Sequence, residues 1–218
     1  MSKSKKPATI VSVVLDMSGS MMSVWEPTLS GINEYINQLK NDGNRYRLSL
    51  TVFDTEFEKL YVATPIADVK EITKEQYKPR GMTALYDAVC KTIADIEVEA
   101  GDKTPVLFVI MTDGQENSSK EYTQVQMKAV IERLEKQGNW TFVFMGANQD
   151  SYATAAVYGV QNAANVVNYH ASAAGTKAAF STLTRSTKNY AMNMSASAEN
   201  ATASFFSKAD KEEIETKA

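Results

Sequence analysis

The chain has 218 residues, 44% hydrophobic and 22% charged, with a formal net charge of −3. This is the balance of a soluble globular protein with one good core and at most a small appendage. It lacks the basic excess of a nucleic-acid binder, and no apolar run reaches the length of a membrane-spanning helix.

One cysteine, Cys90, and one histidine, His170, exclude an intrachain disulfide and a Cys/His metal cluster. Cys90 falls in a helical pattern beside Val89 and reads as a small buried hydrophobe. Residues 1–7, with Lys3, Lys5 and Lys6, read as a disordered basic start. No secretory signal follows, because the first apolar run is broken by Ser12 and ends in Asp16. The expected location is cytoplasmic.

Ile10 to Leu15 is a strand-length apolar run rich in β-branched residues, as in a strand buried on both faces. Asp16-Met17-Ser18-Gly19-Ser20 follows at its carboxyl end, where ligands bind in open α/β sheets. From Pro27 to Lys40, apolar residues at spacings of three and four predict an amphipathic helix. Tyr46–Phe53 and Phe57–Val62 are strands joined by Asp54-Thr55-Glu56, a connection so short that the pair must be an antiparallel hairpin. Thr64 to Arg80 reads as irregular.

Gly81-Met82-Thr83-Ala84 then leads into a helix with Leu85, Ala88, Val89, Ile93 and Ile96 on its inner face. Thr83 is either the N-cap of this helix or a functional loop hydroxyl. Pro105–Met111 is a second buried strand, ending in Thr112-Asp113-Gly114, and a polar loop, Gln115–Glu121, follows. A helix around Met127–Leu134, a strand over Trp140–Gly146, a helix over Asp150–Tyr158 and a strand over Asn165–Tyr169 complete the alternation. The predicted fold is α/β: a doubly wound, mostly parallel central sheet with one antiparallel edge strand and helices on both faces.

The domain proper is expected over residues 8–170, with a C-terminal helix and polar tail over 171–218. Asn189 to Ser204 resembles a low-complexity linker. Phe205-Phe206 is an isolated apolar pair, and Ser207 is placed to cap a last charged segment, Lys208 to Lys217.

If the strands ending at Asp16 and Asp113 are neighbours, Asp16, Ser18, Ser20, Thr83 and Asp113 bring two carboxylates and three hydroxyls above the sheet. Oxygen donors of this kind suit a hard cation such as Mg²⁺, with Mn²⁺ or Ca²⁺ as alternatives. Asp-x-Ser-x-Ser after the first strand, Gly-Met-Thr-Ala-Leu before a helix and Thr-Asp-Gly after the next apolar strand resemble the von Willebrand factor A domain, in that family's order. The family carries these segments as a metal-ion-dependent adhesion site. The resemblance implies that Ser18, Ser20 and Thr83 ligate the metal through their hydroxyls, and Asp16 and Asp113 directly or through water. It also implies that a partner protein completes the metal shell with an Asp or Glu; standalone domains of this size are of a bacterial or phage type. Met21, Met22 and Trp25 lie near the site in sequence, and the resemblance implies that such residues line the ligand face as an apolar rim.

The expected function is therefore a non-enzymatic, metal-dependent protein-binding module. No phosphate-cradling loop and no Gly-x-Ser-x-Gly elbow are present. Two alternatives stay open at this level. One is an assembly protein whose tail makes contacts between copies, giving a homo-oligomer. Its tail would occupy a groove in cis or on a neighbour, in one version with a tail carboxylate at the open metal position. The other is a Mg²⁺-dependent phosphoester hydrolase with Asp16 as nucleophile.

Overall fold

A computed structural model describes residues 8–148, 150–196 and 204–216. The expected disordered start at residues 1–7 lies outside them, as does most of the second half of the expected linker.

The strands are β1 (Thr9–Asp16), β2 (Tyr46–Phe53), β3 (Phe57–Pro65), β4 (Val106–Thr112), β5 (Trp140–Ala147) and β6 (Val166–Tyr169). They form one sheet in the order β3-β2-β1-β4-β5-β6. Every pairing is parallel except β2 with β3. β1 and β4 run side by side at the centre, with Leu15 opposite Met111, so Asp16 and Thr112 leave the sheet together.

The helices are α1 (Trp25–Lys40), α2 (Leu85–Ala100), α3 (Gln124–Glu135), α4 (Ser151–Tyr158), α5 (Ala173–Ala196) and α6 (Lys208–Thr216). Strand alternation divides the core in two. Val11, Val13 and Leu15 face a layer made by α1, α5 and α6. Ile10 and Val14 face α2, α3 and α4. Both layers are continuous apolar clusters, which is why the central strands read as unbroken hydrophobic runs.

Two boundaries differ from the sequence reading for local reasons. A short 3-10 turn over Gly19–Val24 precedes α1 and buries Met21 and Val24, so the helix begins at Trp25, two residues before Pro27. β3 continues past Val62 to Pro65 through a bulge, where Ala63 takes φ 41° and its N–H donates to Ser49 Oγ at 2.6 Å.

The C-terminal region is folded against the sheet. α5 is helical through Ala196, so Asn189–Ala196 is helix where the composition suggested linker. Its packing on α1 is close: a Cβ on Gly31 would lie 2.1 Å from the Phe180 ring. Phe205, Phe206 and Ile214 are buried in the same cluster as α1 and α5. The Phe206 N–H donates to the Ala164 carbonyl at 3.1 Å, and the Phe205 N–H to Asn165 Oδ1 at 3.1 Å. Both acceptors immediately precede β6, the edge strand that β4 and β5 separate from β1. Ser207 does cap α6: its Oγ accepts from the Asp210 N–H at 3.1 Å, and Asp210 Oδ2 accepts from the Ser207 N–H at 2.9 Å.

Of the tail acids, Glu199 lies outside the described residues. Asp210 and Glu213 are held by Arg185, and Glu215 accepts from Tyr152 Oη at 2.7 Å. Among the described residues, no helix is long and apolar enough to cross a membrane.

Candidate metal centre

Asp16 ends β1 and is fully buried. The chain then turns sharply, so that the Ser18 N–H donates back to Asp16 Oδ1 at 2.7 Å. The Asp-x-Ser spacing serves this closure, an aspartate accepting from the backbone two residues on. The other oxygen, Oδ2, accepts from the Thr112 hydroxyl at the end of β4.

Ser18 Oγ and Ser20 Oγ are 3.1 Å apart, and Ser20 Oγ donates to Asp113 Oδ1 at 2.6 Å. With the Ser20 proton committed to Asp113, Ser18 is the donor to Ser20. The three residues thus form one chain of oxygens from β1 to β4.

Thr83 is the fourth element. The N-cap of α2 is Ala84, which makes no side-chain cap bond, so Thr83 does not cap the helix. The first N–H groups of α2 are met from the loop after β4: Tyr86 N–H donates to Glu116 Oε2 at 3.1 Å and Asp87 N–H to Ser119 Oγ at 3.2 Å. In return the Asp87 carboxylate accepts from the N–H groups of Lys120, Glu121 and Tyr122. Thr83 itself is clamped by Asn117, whose Oδ1 accepts from the Thr83 N–H at 2.8 Å and whose own N–H donates to the Thr83 carbonyl at 3.0 Å. Its hydroxyl is left to face the site.

The oxygens converge on one point. A Cβ placed on Gly114 would lie 3.1 Å from Thr83 Oγ1, 3.7 Å from Ser20 Oγ and 3.8 Å from Asp16 Oδ2. The glycine keeps that cradle open. Asp16, Ser18 and Thr83 are buried and make its floor, while Ser20 is exposed and Asp113 half-buried, so one side opens to solvent.

Burial pushes the Asp16 carboxyl up to about 6, against the lowering effect of its Thr112 and Ser18 bonds. Burial raises Asp113 as well. Among the described residues, no group of three or more His, Cys, Asp or Glu is gathered to hold a metal. A donor set of two carboxylates and three hydroxyls matches a divalent cation in charge and a hard cation in chemistry.

Sequence reasoning missed the supporting residues. Thr112 was legible in principle, since the β1–β4 register sets it beside Asp16. Tyr77, whose hydroxyl donates to the Asp16 carbonyl at 2.8 Å, lies in an irregular segment with no local signal. Asp54 carries the Gly81–Ala84 loop: its carbonyl accepts from the Ala84 N–H at 2.8 Å, and Oδ2 accepts from Arg80 Nε at 2.8 Å. Gly81 is required here, with φ 66° and a Cβ position only 2.8 Å from Thr55 Oγ1.

A family model, the von Willebrand factor type A domain, matches residues 11–215. Solved structures share the fold. Proximal thread matrix protein 1 from the mussel byssus superposes with a TM-score of 0.63 at 16% identity, covering 85% of this chain and 46% of that one. A form of the same mussel protein with a zinc-occupied MIDAS motif gives 0.56 at 14% identity, covering 86% and 46%. The manganese-loaded TRAP protein of Plasmodium vivax gives 0.55 at 18% identity, covering 75% and 68%. The chain spans less than half the length of the mussel protein. No curated protein sequence matches it.

Proposed function

Because the chain belongs to the von Willebrand factor type A domain family, we propose that it is a non-enzymatic protein-binding module. In this reading Asp16, Ser18, Ser20, Thr83 and Asp113 hold a divalent cation. The observation that carries the proposal is the convergence of Thr83, Ser20 and Asp16 oxygens around the space above Gly114, with Asp113 and Ser18 tied to the same set.

Mg²⁺ is the proposed ion, since small hydroxyl and carboxylate oxygens with an open side leave room for the waters it retains. The mussel and Plasmodium structures carry zinc and manganese, so Mn²⁺ and other divalent ions are expected to compete. The cation would supply a Lewis-acidic position on the solvent side that takes a carboxylate from a partner's Asp or Glu. Asp16 and Asp113 balance its charge, Asn117 and Asp54 fix Thr83, and Tyr77 and Thr112 fix Asp16.

The environment of Asp16 speaks against the hydrolase alternative. Its carboxylate is fully buried and both oxygens already accept hydrogen bonds, which is a poor state for a nucleophile.

Gly114→Ala tests the site without touching a ligand. Gly114 has no positive φ, so alanine suits the backbone, but the new methyl fills the cradle. Calorimetric titration with Mg²⁺ and Mn²⁺ is expected to give saturable binding to wild type and none to the variant. The metal-free melting point should stay within about 3 °C, as expected for a change of roughly 1 kcal/mol. Wild-type affinity in Gly114→Ala would contradict the assignment.

A further inference from the structure

Buried tyrosines in this chain find partners for their hydroxyls. Tyr35 Oη lies 3.0 Å from Thr187 Oγ1, Tyr46 Oη donates to Asp42 Oδ2 at 2.6 Å, Tyr77 Oη to the Asp16 carbonyl at 2.8 Å and Tyr190 Oη to the Val106 carbonyl at 3.4 Å. Tyr169, at the end of β6, is different. The residue is 2% exposed, and its hydroxyl is buried without a hydrogen-bond partner among the described residues. A buried polar group left unpaired is costly and calls for a reason. Short hydroxyls in the same condition, such as those of Thr28 and Ser186, can turn to a carbonyl of their own helix. A phenol hydroxyl stands too far from its own backbone for that.

The sheet register sets Tyr169 in line with a proposed cation ligand. Thr112 pairs with Gly146, so Asp113 comes level with Ala147, and Ala147 pairs with Tyr169. Met111, Ala147 and Tyr169 share one apolar cluster, and strand alternation brings Asp113 to the same face. Asp113 and Tyr169 are thus two strands apart, about 10 Å between backbones. The residue between them in that row is Ala147, whose methyl leaves room for the Tyr169 ring to lean across. Burial first, and then the charges of Asp113 and Asp16, raise Tyr169 above its ordinary value. The hydroxyl therefore keeps its proton and meets a carboxylate as a donor.

Asp113 is the ligand that needs such a donor. Thr83 is held by Asn117, and Asp16 by Thr112 and Tyr77, none of them a proposed ligand. Asp113 Oδ1 is held by Ser20, which is itself one. We infer that Tyr169 is a positioning residue of the cation site: with the cation bound, its hydroxyl donates to the Asp113 carboxylate and fixes the orientation of that ligand. This rests on the proposed cation site and adds to it a residue that none of the three sequence segments contains. Groups that orient metal ligands from behind are typically worth about 10- to 100-fold in metal affinity.

The test compares the full chain with Tyr169→Phe, which keeps the ring and deletes only the hydroxyl. Calorimetric titration should show Mg²⁺ binding weakened by about tenfold or more. The metal-free melting point should hold or rise, because the deleted hydroxyl makes no bond there. Tyr77→Phe is the contrast: it deletes a formed bond to the Asp16 carbonyl, and its metal-free melting point should fall. The near-ultraviolet tyrosine difference spectrum supplies a readout that a merely structural hydroxyl would not move. Mg²⁺ should change it in wild type, and the change should shrink in Tyr169→Phe. Mg²⁺ affinity in Tyr169→Phe within about twofold of wild type would overturn the inference and leave the cation site in place. A metal-free melting point that falls as far as in Tyr77→Phe would also overturn it. Absence of Mg²⁺ binding to wild type would overturn both the inference and the reading beneath it, and the wild-type titration shows this before any variant is compared.

Discussion

Asp16→Asn should give a protein that melts higher than wild type at pH 7 in the presence of a chelator and that no longer responds to Mg²⁺. The aspartate titrates ordinarily at 3.8, and burial pushes it up to about 6 in the fold. Between those values the native chain keeps a proton that the unfolded chain has released. Stability therefore falls as pH rises through that window and stays at the lower level above it. The gap corresponds to roughly 3 kcal/mol withheld from the ionised, metal-free site at pH 7. Asparagine carries no charge to desolvate and can keep the local bonds. Its amide oxygen accepts from the Ser18 N–H. Its Nδ2 can donate to Thr112 Oγ1, whose proton turns to the Gly114 carbonyl 3.2 Å away. The melting point should rise by several degrees, up to about 10 °C, since 1 kcal/mol moves a domain of this size by about 2–4 °C. A second signature follows from the same sign: the metal-free wild type should lose stability from pH 4 to pH 6.5, and Asp16→Asn should lose less. A lower metal-free melting point in the variant, or a retained response to Mg²⁺, would refute this account of Asp16.

Phe206→Ala should cost about 3–5 kcal/mol, the usual range for emptying a buried aromatic site. Phe206 is 1% exposed and packs edge-on against Phe205 at 4.8 Å, which in turn meets Tyr190 at 6.2 Å. Its loss leaves a cavity beneath α5 and loosens α6, which Ile214 and the Arg185–Asp210 pair also hold. The metal site stands on β1 and β4, with β5 between them and β6, so Mg²⁺ affinity measured below the melting transition should be unchanged. Chemical denaturation gives the first quantity and calorimetric titration the second. A cost under about 1 kcal/mol would mean that the C-terminal segment is not part of the cooperative core.

The central sheet was legible because its signals are local. β1 and β4 are continuous apolar runs, each closed by an aspartate, and the hairpin from Tyr46 declares itself by a three-residue connection. Strand-end position suggests that the oxygens of Asp16, Ser18, Ser20, Thr83 and Asp113 can meet, and the family resemblance makes them a ligand set; the structure places all five on adjoining loops. Thr83 had two readings in sequence, cap or site hydroxyl, and only the third dimension separates them. Glu116 and Ser119 take over the capping from a loop about thirty residues away, and no local pattern announces that. Residues 189–196 differ from the sequence reading for a related reason. Residues 189–196 lack a clear apolar period, yet Tyr190 and Ala191 are buried against the rest of the core. Helix there follows from tertiary packing and small residues rather than from an amphipathic stripe. Phe205-Phe206 likewise looks isolated until the start of β6 is seen beneath it.

The most direct measurement is the melting temperature of wild type and Asp113→Ala with chelator and with millimolar Mg²⁺. Binding to the native state alone stabilises by mass action, about 2.7 kcal/mol at a hundredfold excess over Kd. Wild type should melt several degrees higher with Mg²⁺, and Asp113→Ala should not move. An unmoved wild type with saturating Mg²⁺, Mn²⁺ or Ca²⁺ would contradict it and leave the fold as a scaffold without a working cation site.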